Sequence, residues 1–279
     1  MPVVAYLGPE GTFAHEGTDH LRTVGGPTEL VARATVGEVI HDVDDGRCDF
    51  GLVPLESSID GGVTSTIDVL VFEVDRTRIR EEVVVPVSFG AHRRPGFETR
   101  PATTLLSHPA GLAQCRGYAA KHNLTTVPTD STSEACRVVA RSDDPGLVAV
   151  ASMKAGALAG LVTVEHDVED FPGAHTRFAL VAHEGLQPSG DDKSTIVVTP
   201  PTEGVGVLLE TLQPISDRGV NISEIVSRPL RQRLGEYCFL LTLDRHEDDP
   251  AVGDALAELE AGGFTVKRLG SYPAWRTHG

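Results

Sequence analysis

Three short segments carry residues whose types and spacing could do chemistry. Gly8-Pro9-Glu10-Gly11-Thr12-Phe13 follows an apolar run and opens a helical pattern. Two glycines permit a tight turn, and free N–H groups at a helix start attract anions, so a carboxylate or phosphate is the ligand such a turn would take. A structural turn capped by Thr12 accounts equally well for the same residues. The Lys-Ser/Thr pair of a phosphate loop is absent, which argues against a nucleotide. Val53-Pro54-Leu55-Glu56-Ser57-Ser58, with Asp60-Gly61-Gly62 after it, puts polar groups at the end of an apolar run. In open α/β sheets that edge binds ligands; a serine-capped helix start is the plainer alternative. His175-Thr176-Arg177-Phe178 begins a third run. An arginine there can fork onto a carboxylate and the threonine can donate a hydroxyl, against the plainer reading of a surface Arg and a β-forming Thr.

Other patterns dissolve on inspection. Gly204-Val205-Gly206 opens a helix after a strand, with Glu224 further on, yet Leu209 replaces the third glycine of a dinucleotide fingerprint. His15 and His20 are five apart, about 140° around a helix, so they cannot share a metal as i, i+4 histidines would. No metal and no cofactor is expected. The four cysteines at 48, 115, 136 and 238 form no C-x-x-C pair and read as reduced thiols of a cytoplasmic protein.

The elements that must position these residues follow from periodicity. Val3–Leu7, Phe50–Pro54, Val83–Ser88, Thr103–Ser107, Leu147–Ala151 and Phe178–Ala182 read as buried strands. Helical patterns over Phe13–Val24, Val36–Asp45, Ala110–His122, Ser133–Ala140 and Lys154–Leu161 lie between them, which predicts an α/β region with a mostly parallel sheet. After the polar stretch Glu184–Lys193 the pattern changes to strand, helix, two strands, helix, strand. That is the split βαββαβ arrangement, with Pro214 bending the first helix.

Composition bounds the rest. In 279 residues, 24 Lys and Arg stand against 40 Asp and Glu, a net charge of −16. That disfavours a generic nucleic-acid or anionic-membrane role. The basic cluster Arg228, Arg231, Arg233 reads as an exposed hairpin turn. No run approaches the ~20 apolar residues of a membrane span, and the first residues lack a signal-peptide pattern.

In order, YLGPEGTF (6–13), VPLESSIDGGV (53–63), SHPAGLAQC (107–115), STSEA (131–135), HTRF (175–178) and GVNISEIVSRP (219–229) resemble prephenate dehydratase of the monofunctional bacterial type. The resemblance spans essentially the whole chain. It implies a two-lobed, periplasmic-binding-protein-like catalytic region over 1–184, with lobe 1 about 1–80 and 175–184 and lobe 2 about 81–174. A linker at 185–193, an ACT regulatory domain at 194–273 and a tail at 274–279 would follow. It further implies conversion of prephenate to phenylpyruvate, with Thr176, Arg177, Glu56 and Ser58 as catalytic residues and Arg177 binding a substrate carboxylate. Gly11, Thr12, Phe13, Ser57 and Phe178 would bind substrate. Gly206, Val207, Leu208, Asn221, Ile222 and Ser227 would bind the effector L-phenylalanine, and ACT domains would pair into a homodimer or homotetramer.

The chain departs from the family's usual residues at places that bear on outcome. Ser57 stands for Asn, Gly173-Ala174 for a segment with Asn, and Ala110-Gly111 for Gln-Ala. In the ACT region, Gly206-Val207-Leu208-Leu209 replaces Gly-Ala-Leu-Val, and Val226 replaces the Glu of Glu-Ser-Arg-Pro. Val226 is expected to cost the effector site a carboxylate. A prephenate decarboxylase that does not aromatise, an arogenate dehydratase or a silent amino-acid sensor would fit a chain so altered. With −16 overall, a pocket for a dianion is expected to be locally positive.

Overall fold

Hydroxyl caps set several of the helix starts. Thr35 accepts from the Glu38 N–H at 3.1 Å and Ser131 from that of Glu134 at 3.0 Å, each meeting a donor that the first turn leaves orphaned. A computed structural model describes residues 1–202, 204–231 and 235–275.

The first sheet contains β1 (Val3–Leu7), β2 (Glu29–Arg33), β3 (Phe50–Ser57), the two-residue β4 (Gly61–Gly62), β5 (Arg78–Pro86) and β11 (His175–Ala182). Its order is β2-β1-β3-β11-β5, with β4 beside β3. The second contains β6 (Gly90–Arg93), β7 (Thr104–Ser107), β8 (Thr125–Pro128), β9 (Leu147–Ala151) and β10 (Val162–Glu165), in the order β10-β6-β9-β7-β8. Neither sheet is mostly parallel. β11 runs antiparallel to both β3 and β5, and β6 runs antiparallel to β9 and β10. The chain leaves the first sheet and later returns to it. The two crossings lie side by side, joined by the Val87 N–H on the Ala174 carbonyl at 2.7 Å. The outward crossing falls after Pro86, beyond the expected residue 80.

Two expected helices are shorter than their patterns. α1 (Phe13–Gly17) ends in a short 3-10 turn instead of reaching Val24. A Cβ on Gly17 would lie 3.0 Å from Leu52, so the turn must pass close to the sheet. The Arg22 and Thr23 N–H groups then go to Glu81. The pattern over Ala110–His122 splits at Cys115 into α4 (Pro109–Gln114) and α5 (Arg116–Lys121), because Asp170 accepts from the Arg116 and Gly117 N–H groups and caps a new start. Helices α2 (Val36–Asp44), α3 (Thr64–Phe72), α6 (Thr132–Arg141) and α7 (Met153–Leu158) complete the two lobes; the apolar α3 has no expectation behind it.

The third sheet is built from β12 (Asp192–Thr199), β13 (Ile222–Pro229), β14 (Tyr237–Leu243) and β15 (Thr265–Pro273), in the antiparallel order β13-β14-β12-β15. With α8 (Val207–Ser216) and α9 (Pro250–Ala261) this is the ferredoxin-like βαββαβ unit. One face of the sheet packs Ile196, Val198, Leu241 and Leu243 against α8 and α9. Its other face sends Val197, Leu240 and Tyr272 into the same core as Ala179, Val181 and Leu70 of the first lobe. Both faces of this sheet are therefore covered over β12, β14 and β15, while the outer face of β13 stays exposed at Ile225. Arg228 and Arg231 are not a free basic patch, since both pair with Asp68 on α3. Arg233 lies outside the described residues, as do residues 276–279 of the expected tail.

Candidate active site

A cavity of about 630 Å³ lies between the first two sheets, within the usual size of a small-molecule site. Thr12, Phe13, Pro54, Ser57, Asp60, His175, Thr176 and Phe178 reach it from the first lobe. Phe89, His108, Gly111, Gln114, Asp130, Ser131 and Thr132 reach it from the second.

Strand alternation decides which side chains face it. On β11, Thr176 and Phe178 turn to the cavity, so Arg177 between them turns to the rear. On β3 strict alternation from Pro54 would bring Glu56 to the cavity as well. A bulge intervenes: Arg177 pairs with Glu56 and Phe178 with Pro54, leaving Leu55 over. Beyond it, Glu56 lies on the rear and Ser57 faces the cavity, the cross-strand neighbour of Thr176. Thr176 and Ser57 are thus juxtaposed by a one-residue irregularity.

The expected site divides accordingly. The Thr176 hydroxyl makes no side-chain hydrogen bond to another described residue. Phe178 is buried as a wall, and Phe13 meets Phe89 edge to face at 5.4 Å across the two lobes. Thr12 lines the cavity, but its hydroxyl donates to the Leu7 carbonyl at 2.9 Å and accepts from the His15 N–H at 3.3 Å as the cap of α1. Ser57 accepts from the Ile59 and Asp60 N–H groups and shapes its turn.

Four other residues implied by the resemblance lie outside the cavity. The Gly11 N–H is spent on His15 Nδ1 at 3.0 Å, its carbonyl accepts from Ser152 at 3.0 Å, and the residue does not line the cavity. Its glycine is required by a φ of +88° and by Ala155 and Ser133, 3.1 Å from where a Cβ would sit. Ser58 accepts from the His175 N–H at 3.0 Å and holds the start of β11 from outside the cavity. Arg177 and Glu56 face each other on the rear, at 3.0 Å from Nε and 2.9 Å from Nη2. Glu224 of β13 approaches Arg177 at 2.5 Å and Glu82 of β5 at 3.6 Å. Burial works against the charge on Arg177, yet Glu224, Tyr272 and Glu56 outweigh it and hold the guanidinium firmly protonated. Its fork is filled by protein carboxylates, which leaves none for a substrate carboxylate.

Among the described residues no lysine or arginine lines the cavity, contrary to the expected positive pocket. His108 and His175 are the lining groups able to carry positive charge, and Asp60 and Asp130 are negative. The start of the ten-residue α6 borders the cavity at Ser131 and Thr132, and N–H groups at a helix start are suited to an anion. Gln114 also faces the cavity with a buried side-chain oxygen that has no partner. The motif SHPAGLAQC contains it, but nothing in its residue type marks which of nine positions turns inward. Among the described residues no group of His, Cys, Asp and Glu could hold a metal.

The expected effector residues are spread over two environments. Gly206 caps α8 with a φ of +94°, Val207 and Ile222 pack into the core beneath α8 and α9, and Asn221 donates to Asp244 at 2.5 Å. Leu208 and Ser227 are exposed. Along β13, Ser223, Ile225 and Ser227 face outward while Glu224, Val226 and Arg228 face the first lobe. Val226 therefore packs against the lobe's core and takes no carboxylate from the outer face.

A family model described as Prephenate dehydratase matches residues 4–186, and a model of the ACT domain matches residues 202–261. Prephenate dehydratase of Mycolicibacterium gilvum is 34% identical over 293 positions, covering 100% of this chain and 93% of that protein. The crystal structure of prephenate dehydratase from Arthrobacter aurescens in complex with L-Phe matches with a TM-score of 0.88 and 35% identity, over 98% of this chain and 90% of that one. A solved protein described as a novel type of quorum-quenching acylase matches with a TM-score of 0.86 and 25% identity, over 98% of both chains.

Proposed function

The chain belongs to the prephenate dehydratase family, and from that membership we propose that its cleft converts prephenate to phenylpyruvate, carbon dioxide and water. The observation that carries the reading is the unpaired Thr176 hydroxyl, set beside Ser57 in a cavity walled by Phe13 and Phe178.

Prephenate is a dianion carrying a ring hydroxyl. When the ring carboxylate leaves as carbon dioxide, its bonding electrons close the aromatic ring and expel the hydroxyl at the opposite carbon. The product is a monoanion, so one proton must reach the departing oxygen. The step is redox-neutral and gains aromaticity, so its needs are orientation, a hydrogen-bond donor at the leaving oxygen and release of the carboxylate. Thr176 supplies the donor. A threonine hydroxyl is a weak acid, so it acts by a directed hydrogen bond to the departing oxygen and keeps its own proton, and the proton that completes the water molecule comes from solvent. The phenylalanine walls suit a flat ring that becomes aromatic. The N–H groups at the start of α6, with His108 and His175, receive carboxylates in place of Arg177.

L-phenylalanine is the effector proposed for the ACT domain, on the outward face of β13 and the start of α8. Exposed Leu208, Leu209, Ile225 and Tyr237 there suit a second copy of the chain. Four buried, unpaired cysteines fit a reducing cytoplasm.

The test is incubation with prephenate. Stoichiometric phenylpyruvate supports the reading. A decarboxylated, non-aromatic product would make the chain a non-aromatising relative, and unchanged prephenate would overturn the assignment.

A further inference from the structure

Behind the cavity floor, where β3 ends and β11 begins, the ladder between them shifts register. The bulge leaves Leu55 over, and Pro54 has no N–H to donate, so the β3–β11 pairing of Ser57 with Thr176 is set off by an irregularity from the regular ladder beyond it. Arg177 lies directly beneath, 12% exposed at its side chain, and forks onto Glu56. One guanidinium thus ties together the two strands that present Ser57 and Thr176.

That tie does not end within the lobe. The same Nη2 reaches Glu224 of the ACT domain. Glu224 also accepts from the Thr242 hydroxyl at 3.1 Å, and Thr242 continues through Thr195 to the buried Tyr272 hydroxyl. The chain of contacts enters β13, β14, β12 and β15 in turn. Glu82, with Lys193 at 3.2 Å and the Trp275 N–H at 2.6 Å, closes the ring of charge from β5. Buried charges are tolerated when so paired, and removing one partner leaves the others uncompensated. Glu224 has another consequence of place. Its strand neighbours Ser223 and Ile225 face outward, which puts the residue gripping Arg177 one position from that outer surface.

We propose that Arg177 is a positioning residue, held from the ACT domain by Glu224, and that this inter-domain pair sets the placement of Thr176 against Ser57. It rests on the functional reading above for its catalytic consequence and on the geometry alone for its structural one. Arg177 touches no substrate; it acts through Thr176.

Glu224→Gln keeps the shape and the bond from Thr242 but removes the charge. Asp68→Asn breaks different ion pairs across the same domain boundary, those of Arg228 and Arg231, and serves as the comparison. Hydrogen–deuterium exchange read by mass spectrometry should show residues 53–60 and 174–178 exchanging about tenfold faster or more in Glu224→Gln, and at the wild-type rate in Asp68→Asn. With prephenate, Glu224→Gln should lower kcat by about tenfold to a hundredfold with KM within about twofold, the signature of a misplaced donor. Arg177→Lys should behave the same way, since a point charge cannot grip two carboxylates in fixed geometry. The inference is overturned if Glu224→Gln leaves exchange and kcat unchanged, if Asp68→Asn reproduces both effects, or if Arg177→Lys raises KM while kcat is kept. Should the wild-type chain not turn over prephenate, the functional reading falls, and the exchange comparison still decides the positioning role.

Discussion

At the scale of single residues, chemistry rests on which side chains are left without partners. Thr176 and the Gln114 oxygen are free at the cavity, whereas Arg177 and Glu56 have satisfied each other behind it. Thr176→Val keeps shape and β-branching and removes only the donor. Turnover should fall by about 10²–10⁴-fold with KM little changed, while Thr176→Ser keeps most activity. Steady-state kinetics with prephenate checks both, and an unaltered kcat in Thr176→Val would shift the role to Ser57. The cysteines give a second residue-level expectation. Burial pushes the Cys115 and Cys136 thiols up to about 12, and all four cysteines are buried. A thiol reagent should therefore label the native protein slowly and all four sites after denaturation.

At the scale of elements, close packing and burial make the structure sensitive to small changes. Gly51 on β3 leaves room for α2: an added Cβ would meet Val39 at 2.8 Å, Val43 at 3.0 Å and Val181 at 3.1 Å. Gly51→Ala should cost about 1–3 kcal/mol by overpacking. Gly37→Ala within α2 meets its neighbours only at 3.8 and 4.0 Å and should stabilise by up to about 1 kcal/mol. Urea midpoints of the two variants compare them directly. The turn before α1 adds a dependence on pH. Burial and then the charge of Lys154 hold His15 below its ordinary value, and burial does the same to His92. The native state keeps both rings neutral where the unfolded chain would protonate them, so the unfolded state binds more protons. Stability should be full above about pH 6.5 and decline as pH falls from there toward their lowered native values. The loss should be smaller in His15→Gln, as urea midpoints at pH 7.5 and 5.5 would show. An equal loss in the variant would remove His15 from this account.

At the scale of the whole molecule, the ACT domain is fastened to the first lobe rather than tethered beside it. Lys267 donates to the Val71 carbonyl at 3.0 Å and to that of Val74, closing the end of α3, and Arg22 lies 3.9 Å over the Trp275 ring. Gly270 passes against the Ile79 backbone with a φ of +131°, where a Cβ would collide with the Ile79 carbonyl. Gly270→Ala should loosen this docking. Limited proteolysis within residues 185–191 should then be markedly faster than in wild type, and an unchanged rate would show that the close approach is dispensable.

Periodicity and residue type by themselves determined much of this protein. The six apolar runs are all strands, Pro250–Ala261 is a helix with the bounds expected, and the βαββαβ order stands, because burial pattern and turn residues are local properties. Thr176 and Phe178 line the cavity, a placement that residue type alone left open against a plain β-strand. Tertiary structure alone decided the rest. A single extra residue at Leu55 sends Glu56 to the rear, and a period of two cannot reveal a bulge whose cause is the partner strand. The resemblance implies a substrate carboxylate for Arg177 and an effector-site position for residue 226, yet both side chains face the boundary between first lobe and ACT domain. Which face of a strand meets solvent, ligand or another domain depends on segments far away in the chain, and no local spacing records it.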